Sequence, residues 1–293
     1  MVAKIIDGRN LAKLQRQQLM EQVEISVRQY GTIPSLHVIL VGDHAASQIY
    51  VRNKQKACQV VGIESVLHQL SSTVTQSQVV ALIEELNQNS CVNGILLQLP
   101  LPSNLNSQEI LERINPLKDV DGLHPYNLGR LLMNMPLLAP CTPQGCLQLI
   151  KTVYNNIDGK NIVVVGRSIL VGRTLAALLT NKNATVTLAH SKTINLKEVC
   201  QSAEILIAAV GSPEFITGDY IKPGAVVIDV GINRIDTDDG TVLKGDVHAP
   251  SVQEVAGYLT PVPGGVGPMT ISNLLLNTIK AVELQKNRPF FSL

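Results

Sequence analysis

The sequence predicts an α/β fold in two domains, and three observations carry that reading. Strand-like and helix-like segments alternate along almost the whole chain. The strand-like segments are continuous apolar runs, such as Val38-Ile-Leu-Val41 and Ile162-Val-Val-Val165, set between amphipathic helices; that is the pattern of a parallel sheet covered on both faces. At 293 residues the chain is long enough for two hydrophobic cores.

Taken in order, the first half reads as a helix over 8–30, a strand over 35–41, a helix over 45–61 and a strand over 63–70. A helix over 76–89, a strand over 94–99 and a helix over 107–114 follow. Residues 115–140 are less regular, with several Pro, Gly and Asn, and the domain boundary is placed near Pro140. A helix over 142–154 and a turn at Asp158-Gly-Lys160 lead into the strand 162–165, which runs through a glycine turn into a helix over 173–181. Further strands are expected over 184–189, 205–210 and 225–230, and a last helix over 270–285 that packs back on the first domain. The expected domains are therefore 1–139 plus 270–293, and 140–269. No internal repeat beyond the alternation of strands and helices is visible.

Composition excludes several functions. Net charge is +1, and no basic stripe with interleaved aromatics appears, which argues against a nucleic-acid partner. The cysteines Cys58, Cys91, Cys141, Cys146 and Cys200 are odd in number and form no C-x-x-C pair, so free thiols are expected instead of a disulfide framework or zinc site. The histidines show no H-x-x-x-H spacing, and no metal is expected. The start of the chain has early charges and no apolar signal core, and no apolar run is long enough to span a bilayer, so a soluble cytoplasmic protein is expected.

The densest local signal is Thr260-Pro-Val-Pro-Gly-Gly-Val-Gly-Pro-Met-Thr270, with three prolines and three glycines in eleven residues. Such a stretch is stiff and presents bare backbone at a helix start, which suits a flat or anionic ligand; composition alone equally allows a structural connector.

Strand 162–165 runs into Gly166-Arg-Ser-Ile-Leu-Val-Gly172 and then a helix, an arrangement that aims backbone N–H groups and the positive end of a helix dipole at a pyrophosphate. The spacing departs from G-x-G-x-x-G, since Ser168 replaces the second glycine and the last glycine comes one residue late. Folds that prefer NAD place a carboxylate at the end of the next strand, to hold the ribose 2′-hydroxyl. Here that position reads Ala189-His-Ser-Lys-Thr193, with no acid, and Ser191, Lys192 and Arg167 suit a 2′-phosphate. NADP is therefore expected over NAD. The loops Gly211-Ser-Pro213 and Gly231-Ile-Asn233 fall beside the nicotinamide end.

In the first half, Tyr50 and Lys54 are four residues apart and share a helix face, although most such pairs lie on a solvated surface. Gln98 lies within the apolar run Ile95-Leu-Leu-Gln-Leu-Pro100, at a strand's C-terminal end, where a polar side chain needs a partner and where ligands bind in open α/β sheets. Asp119-Val-Asp121-Gly122 follows a proline turn, and Asp119 suits turn chemistry better than Asp121 does.

Together these segments resemble the bifunctional methylenetetrahydrofolate dehydrogenase/cyclohydrolase family, nearly end to end and in order. The matching motifs are Tyr50-Val-Arg-Asn-Lys54, Gly94-Ile-Leu-Leu-Gln-Leu-Pro-Leu-Pro102, Lys118-Asp-Val-Asp-Gly122, Pro140-Cys-Thr-Pro143, Gly166-Arg-Ser168, His190-Ser-Lys192 and the 260–270 loop. The resemblance implies two domains facing a cleft, an N-terminal α/β folate/catalytic domain and a Rossmann-like NADP-binding domain. It implies NADP-dependent oxidation of 5,10-methylenetetrahydrofolate to the methenyl cation, then hydrolysis to 10-formyltetrahydrofolate. By position, Lys54 is the central catalytic residue, Tyr50 contacts the folate, Gln98 hydrogen-bonds Lys54 and Asp121 anchors the pterin. Pro263, Gly264 and Gly265 would line the folate side, while Gly166, Arg167, Ser168, Ser191 and Ile232 would bind NADP. A homodimer through the cofactor domains is implied as well. Cys141 is read as a buried thiol outside the catalytic set, and His248 stands where an acid is common. Two other readings stand beside this one: a monofunctional NAD- or NADP-dependent dehydrogenase, and a non-catalytic folate- or nucleotide-binding subunit.

Overall fold

The computed structural model describes residues 2–237 and 240–287. In chain order the main elements are β1 (Lys4–Ile5), α1 (Gly8–Tyr30), β2 (Ser35–Val41), α2 (Ala45–Val61), β3 (Glu64–Leu70), α3 (Gln76–Gln88), β4 (Gly94–Leu97), α4 (Ser107–Leu111), α5 (Pro125–Leu132) and α6 (Cys141–Lys151). They continue with β5 (Asn161–Val165), α7 (Thr174–Thr180), β6 (Thr185–Ala189), α8 (Leu196–Gln201), β7 (Ile205–Ala208), β8 (Val226–Asp229), β9 (Asn233–Thr237), β10 (Gly240–Lys244), α9 (Ala249–Gln253), β11 (Tyr258–Leu259) and α10 (Val266–Asn287).

The chain forms two compact units, and the two-domain α/β architecture expected from the sequence is present. One unit comprises Leu14–Cys141 and the chain from Ile271 onward. Its sheet has the order β3-β2-β4, all parallel. Successive side chains of β2 serve opposite faces, as strand geometry requires. Leu36, Val38 and Leu40 pack with residues of α1, α2 and α10, whereas Ile39 and Val41 pack with residues of α3 and α4. Both faces are covered, which is why β2 reads as an unbroken apolar run. The connections have local causes. Thr75 and Gln78 form a reciprocal capping box at the start of α3. Gly62, with φ at 83°, ends α2 in a left-handed turn and donates its N–H to the Cys58 carbonyl.

The other unit comprises the chain up to Lys13 and Thr142–Thr270. Its sheet has the order β1-β11-β8-β7-β5-β6, parallel throughout. The neighbours β6 and β7 flank β5 on opposite sides, so the strand order reverses at β5. A separate antiparallel hairpin joins β9 to β10.

Several boundaries differ from expectation. Residues up to Lys13 group with the compact unit of the second sheet, where Lys4 and Ile5 pair with Tyr258 and Leu259. A two-residue strand has no periodicity for a sequence reading to detect. The segment expected to be irregular contains α5, which begins with Pro125 at its first turn and His124 as its cap, the His124 ring nitrogen accepting from the Tyr126 N–H at 3.0 Å. Proline is tolerated there because the first N–H groups of a helix have no intrahelical acceptor. The same physics lets α10 begin at Val266 and carry Pro268, four residues before the predicted start.

Candidate active site

The first unit brings three of the predicted residues together. Lys54 lies one turn beyond Tyr50 on α2. Its Nζ donates to Gln98 Oε1 at 2.9 Å. Gln98 follows β4, and its own N–H continues the ladder by donating to the Ile39 carbonyl at 2.9 Å. Its Nε2 donates to the Leu99 carbonyl at 2.7 Å, which leaves Oε1 turned toward the amine. The glutamine therefore orients the lysine without adding charge.

Asp121 completes the group, and the loop that carries it is pinned on both sides. Ahead of it, Lys118 Nζ donates to the carbonyls of Leu86, Asn87 and Asn89 at 2.9, 2.8 and 2.7 Å, closing the C-terminal end of α3. Asp119 Oδ2 accepts from the His124 N–H at 2.8 Å and from Asn127 Nδ2 at 2.9 Å. The Ile95 N–H donates to the Lys118 carbonyl at 2.7 Å, docking this segment on β4. Behind it, Gly122 has φ of 72°, and a Cβ there would run into the Ala139 backbone. From α10, Asn277 Nδ2 donates to the Val120 and Ala139 carbonyls at 2.8 Å each.

Electrostatics at this group are set by burial. Burial lowers the Lys54 pKa below the ordinary lysine value, while the charge of Asp121 opposes that shift. Burial raises the Asp121 carboxyl above its ordinary value, opposed by the Lys54 charge and a hydrogen bond from Cys141. The Tyr50 phenol is pushed upward by burial and keeps its proton. Cys141 is buried, donates to the Val120 carbonyl at 3.2 Å, and is raised well above the usual thiol range, so it stays a neutral thiol beside the group.

The second unit holds the predicted dinucleotide residues at the C-terminal ends of its parallel strands. Gly166 follows β5 with φ of 120°, and a Cβ there would collide with the Ala209 carbonyl. A Cβ on Gly172 would collide with the Gly166 carbonyl. Between them Ser168 Oγ accepts from the Val171 N–H at 3.3 Å and caps a π-helical turn, Ile169–Arg173, that leads into α7. Arg167 and Ser168 are exposed on this turn, and Ser191 is exposed just beyond β6. Ile232, beyond β8, is 39% exposed. Tight backbone, exposed donors and a cation at a point of strand-order reversal fit a pyrophosphate-bearing dinucleotide. Pro263, Gly264 and Gly265 also lie in this unit, where the loop packs on the start of α1: a Cβ on Gly8 would strike the Gly265 carbonyl. They are thus not in the compact unit that holds Lys54.

Sequence reasoning missed two buried acids here. Asp229 ends β8, and its carboxylate accepts the N–H groups of Gly231, Asp246 and Val247 at 3.0, 2.9 and 3.0 Å. Burial pushes its pKa up to about 7. Asp246 accepts the N–H groups of Val210 and Gly211 at 2.6 and 2.9 Å. An acid closing an apolar strand was the available signal for Asp229; Asp246 had none.

A lysine–glutamine–aspartate group in one α/β unit, and a dinucleotide-type parallel sheet in the other, define a two-domain α/β protein of the dinucleotide-dependent enzyme class. Comparison with known proteins gives the family. Residues 6–121 match the tetrahydrofolate dehydrogenase/cyclohydrolase catalytic domain, and residues 140–286 match the NAD(P)-binding domain of the same family. The bifunctional protein FolD of a Bradyrhizobium species is 52% identical over 282 residues, covering 96% of each chain. The crystal structure of the bifunctional FolD of Campylobacter jejuni is 41% identical with a TM-score of 0.92, covering 97% of this chain and 99% of its own. The Trypanosoma brucei FolD, solved with NADP cofactor and an inhibitor, is 37% identical with a TM-score of 0.93, covering 98% of this chain and 100% of its own. This chain belongs to the tetrahydrofolate dehydrogenase/cyclohydrolase family.

Because the Asp121 charge opposes the downward shift of the Lys54 pKa, removing it lowers that pKa further. Asp121→Asn is expected to shift the pH at which Lys54 becomes reactive in competitive acylation to a lower value. An unchanged or raised titration midpoint would show that the two groups do not interact.

Proposed function

We propose that this protein oxidises 5,10-methylenetetrahydrofolate to the methenyl cation with NADP and then hydrolyses that cation to 10-formyltetrahydrofolate. The observation that carries the reading is the half-buried Lys54–Gln98 hydrogen bond beside Asp121, in a chain whose other unit has a dinucleotide-type sheet. NADP, when bound, supplies the hydride acceptor. The absence of an acid after β6, with Ser191, Lys192 and Arg167 in that region, supports NADP over NAD.

Loss of hydride leaves a cation on the folate, and a charged lysine beside it would be unfavourable. Burial and the positive product both favour the neutral Lys54 amine. That amine takes a proton from the water that adds to the methenyl carbon. When the carbon–nitrogen bond then breaks, the ammonium returns the proton to the departing nitrogen, and the proton of the added hydroxyl leaves to solvent. Gln98 keeps the amine aimed through both transfers. In this reading Tyr50 contacts the folate ring system, Asp121 anchors the pterin, and Pro263, Gly264 and Gly265 lie on the folate side. Gly166, Arg167, Ser168, Ser191 and Ile232 hold NADP. The functional domains are then 1–139 plus 270–293 for folate chemistry and 140–269 for NADP, with the first residues packed on the NADP sheet.

The reading extends to a cytoplasmic homodimer assembled through the NADP domains. Among the described residues no helix is long and apolar enough to cross a membrane. The hairpin β9–β10 exposes Val242 and Leu243, and β6 is a sheet edge, two features that a partner would cover.

Three measurements test these statements. Purified protein is expected to reduce NADP in the presence of 5,10-methylenetetrahydrofolate, with a higher KM for NAD, and to speed the decay of the methenyl compound above the buffer rate. Lys54→Met is expected to lose the accelerated decay by at least about a hundredfold while still binding NADPH; wild-type hydrolysis rates in that variant would refute the lysine's role. Sedimentation of the full chain should give a dimer, and a monomer at micromolar concentration would remove the assembly.

A further inference from the structure

Asp246 has no place in the chemistry above, yet it is fully buried and bonded to two separate loops. Its Oδ2 accepts the N–H groups of Val210 and Gly211 at 2.6 and 2.9 Å, in the loop that leaves β7. Its Oδ1 accepts from Asn233 Nδ2 at 2.9 Å, at the first residue of β9, where the loop that leaves β8 ends. Its own N–H donates to Asp229 Oδ1 at 2.9 Å, and Asp229 also accepts from Gly231 and Val247 at 3.0 Å each. The fit is close. A Cβ on Gly231 would collide with the Asp246 carboxylate, and a Cβ on Gly245 would collide with the Asp229 carboxylate.

A buried carboxylate persists only where donors surround it. Here those donors belong to loops whose residues are 36, 35 and 13 positions away from Asp246. Their location gives the arrangement meaning. The loop after β7 adjoins the Gly166 turn, since the Ala209 N–H donates to the Val165 carbonyl at 2.8 Å and the Ala209 carbonyl abuts Gly166. That is the crevice at which the strand order reverses, where dinucleotides lie in folds of this type. Val210 is 37% exposed and Ile232 is 39% exposed, so each tethered loop leaves an apolar residue open to solvent.

We propose that Asp246 is a positioning residue for the nicotinamide end of the cofactor: by tying the backbone at 210–211 to the 231–233 loop, it sets the separation of the two apolar side chains that border the ring. The inference rests on the NADP-binding reading above. Asp246 touches neither substrate nor cofactor in this account and acts through the two loops.

The test compares Asp246→Ala, Asp246→Asn and Asn233→Ala with wild type in the full-length protein. Three quantities are read: NADPH Kd by titration calorimetry, kcat and KM for NADP reduction, and hydrolysis of the methenyl compound without dinucleotide. In Asp246→Ala, NADPH Kd and the KM for NADP are expected to rise roughly tenfold to a hundredfold, with hydrolysis unchanged. Asp246→Asn, which keeps one oxygen, should fall between it and wild type, and Asn233→Ala should shift in the same direction by less. Equal losses in both activities would mean a purely structural role and overturn the proposal, as would unchanged NADPH binding in folded Asp246→Ala. Should that variant not fold, unchanged binding in Asn233→Ala overturns it instead. A wild-type protein that neither binds NADPH nor reduces NADP would refute the underlying cofactor reading, and this inference with it.

Discussion

One hydrogen bond organises the chemical half of the molecule: the 2.9 Å contact from the Lys54 amine to the Gln98 carboxamide. Placing an ammonium out of water is unfavourable, and two remedies are available, a counter-charge or loss of the proton. The fold uses both in a graded way. Burial pushes the lysine pKa down, while Asp121 pushes back without reversing the direction. Gln98 orients the nitrogen without adding a counter-charge, since its carboxamide oxygen accepts from the amine and, more strongly, from the ammonium. An amine balanced in this manner gives up its proton at a lower pH than a solvent-exposed lysine does.

That balance depends on a scaffold built from distant parts of the chain. The segment carrying Asp121 is held by Lys118 against the end of α3, by Asp119 against the start of α5 and by Asn277 from α10. Each is a buried polar group satisfied by backbone, so each resists displacement more than an apolar contact of similar area would. In the other unit the equivalent constraint is steric. Gly166 and Gly172 permit backbone approaches that any side chain would forbid, and the Asp229–Asp246 carboxylates fix the loops opposite that turn. The two units thus solve the same problem, rigid loops at strand ends, with different physics.

What the sequence made legible follows from the range of the interactions. Strands β2 and β5 announced themselves because their apolar runs report burial on both faces locally. The four-residue spacing of Tyr50 and Lys54 was enough to put them on one helix, and a glutamine inside an apolar run was enough to require a partner. The three hydrogen bonds of Lys118 to the C-terminal end of α3 join residues 29 to 32 apart, and Asn277 reaches a carbonyl 157 residues away. No local pattern encodes such partners, and in the sequence Asn277 looks like any polar residue of a helix. Proline misled in a specific way: Pro125 and Pro268 read as loop, yet both sit in the first turn of a helix, where a missing N–H costs nothing. The pairing of β1 with β11 was invisible for the opposite reason, since strands of two residues carry no period at all.

The central claim is that Lys54 works as a neutral amine. The pH dependence of kcat for hydrolysis of the methenyl compound, corrected for the buffer reaction, tests it most directly. If the neutral amine is the active form, the rate falls on the acid side as the amine gains its proton, with an inflection below the ordinary lysine value of about 10.4. A rate that stays flat down to acidic pH, or an inflection at the ordinary lysine value, would contradict it.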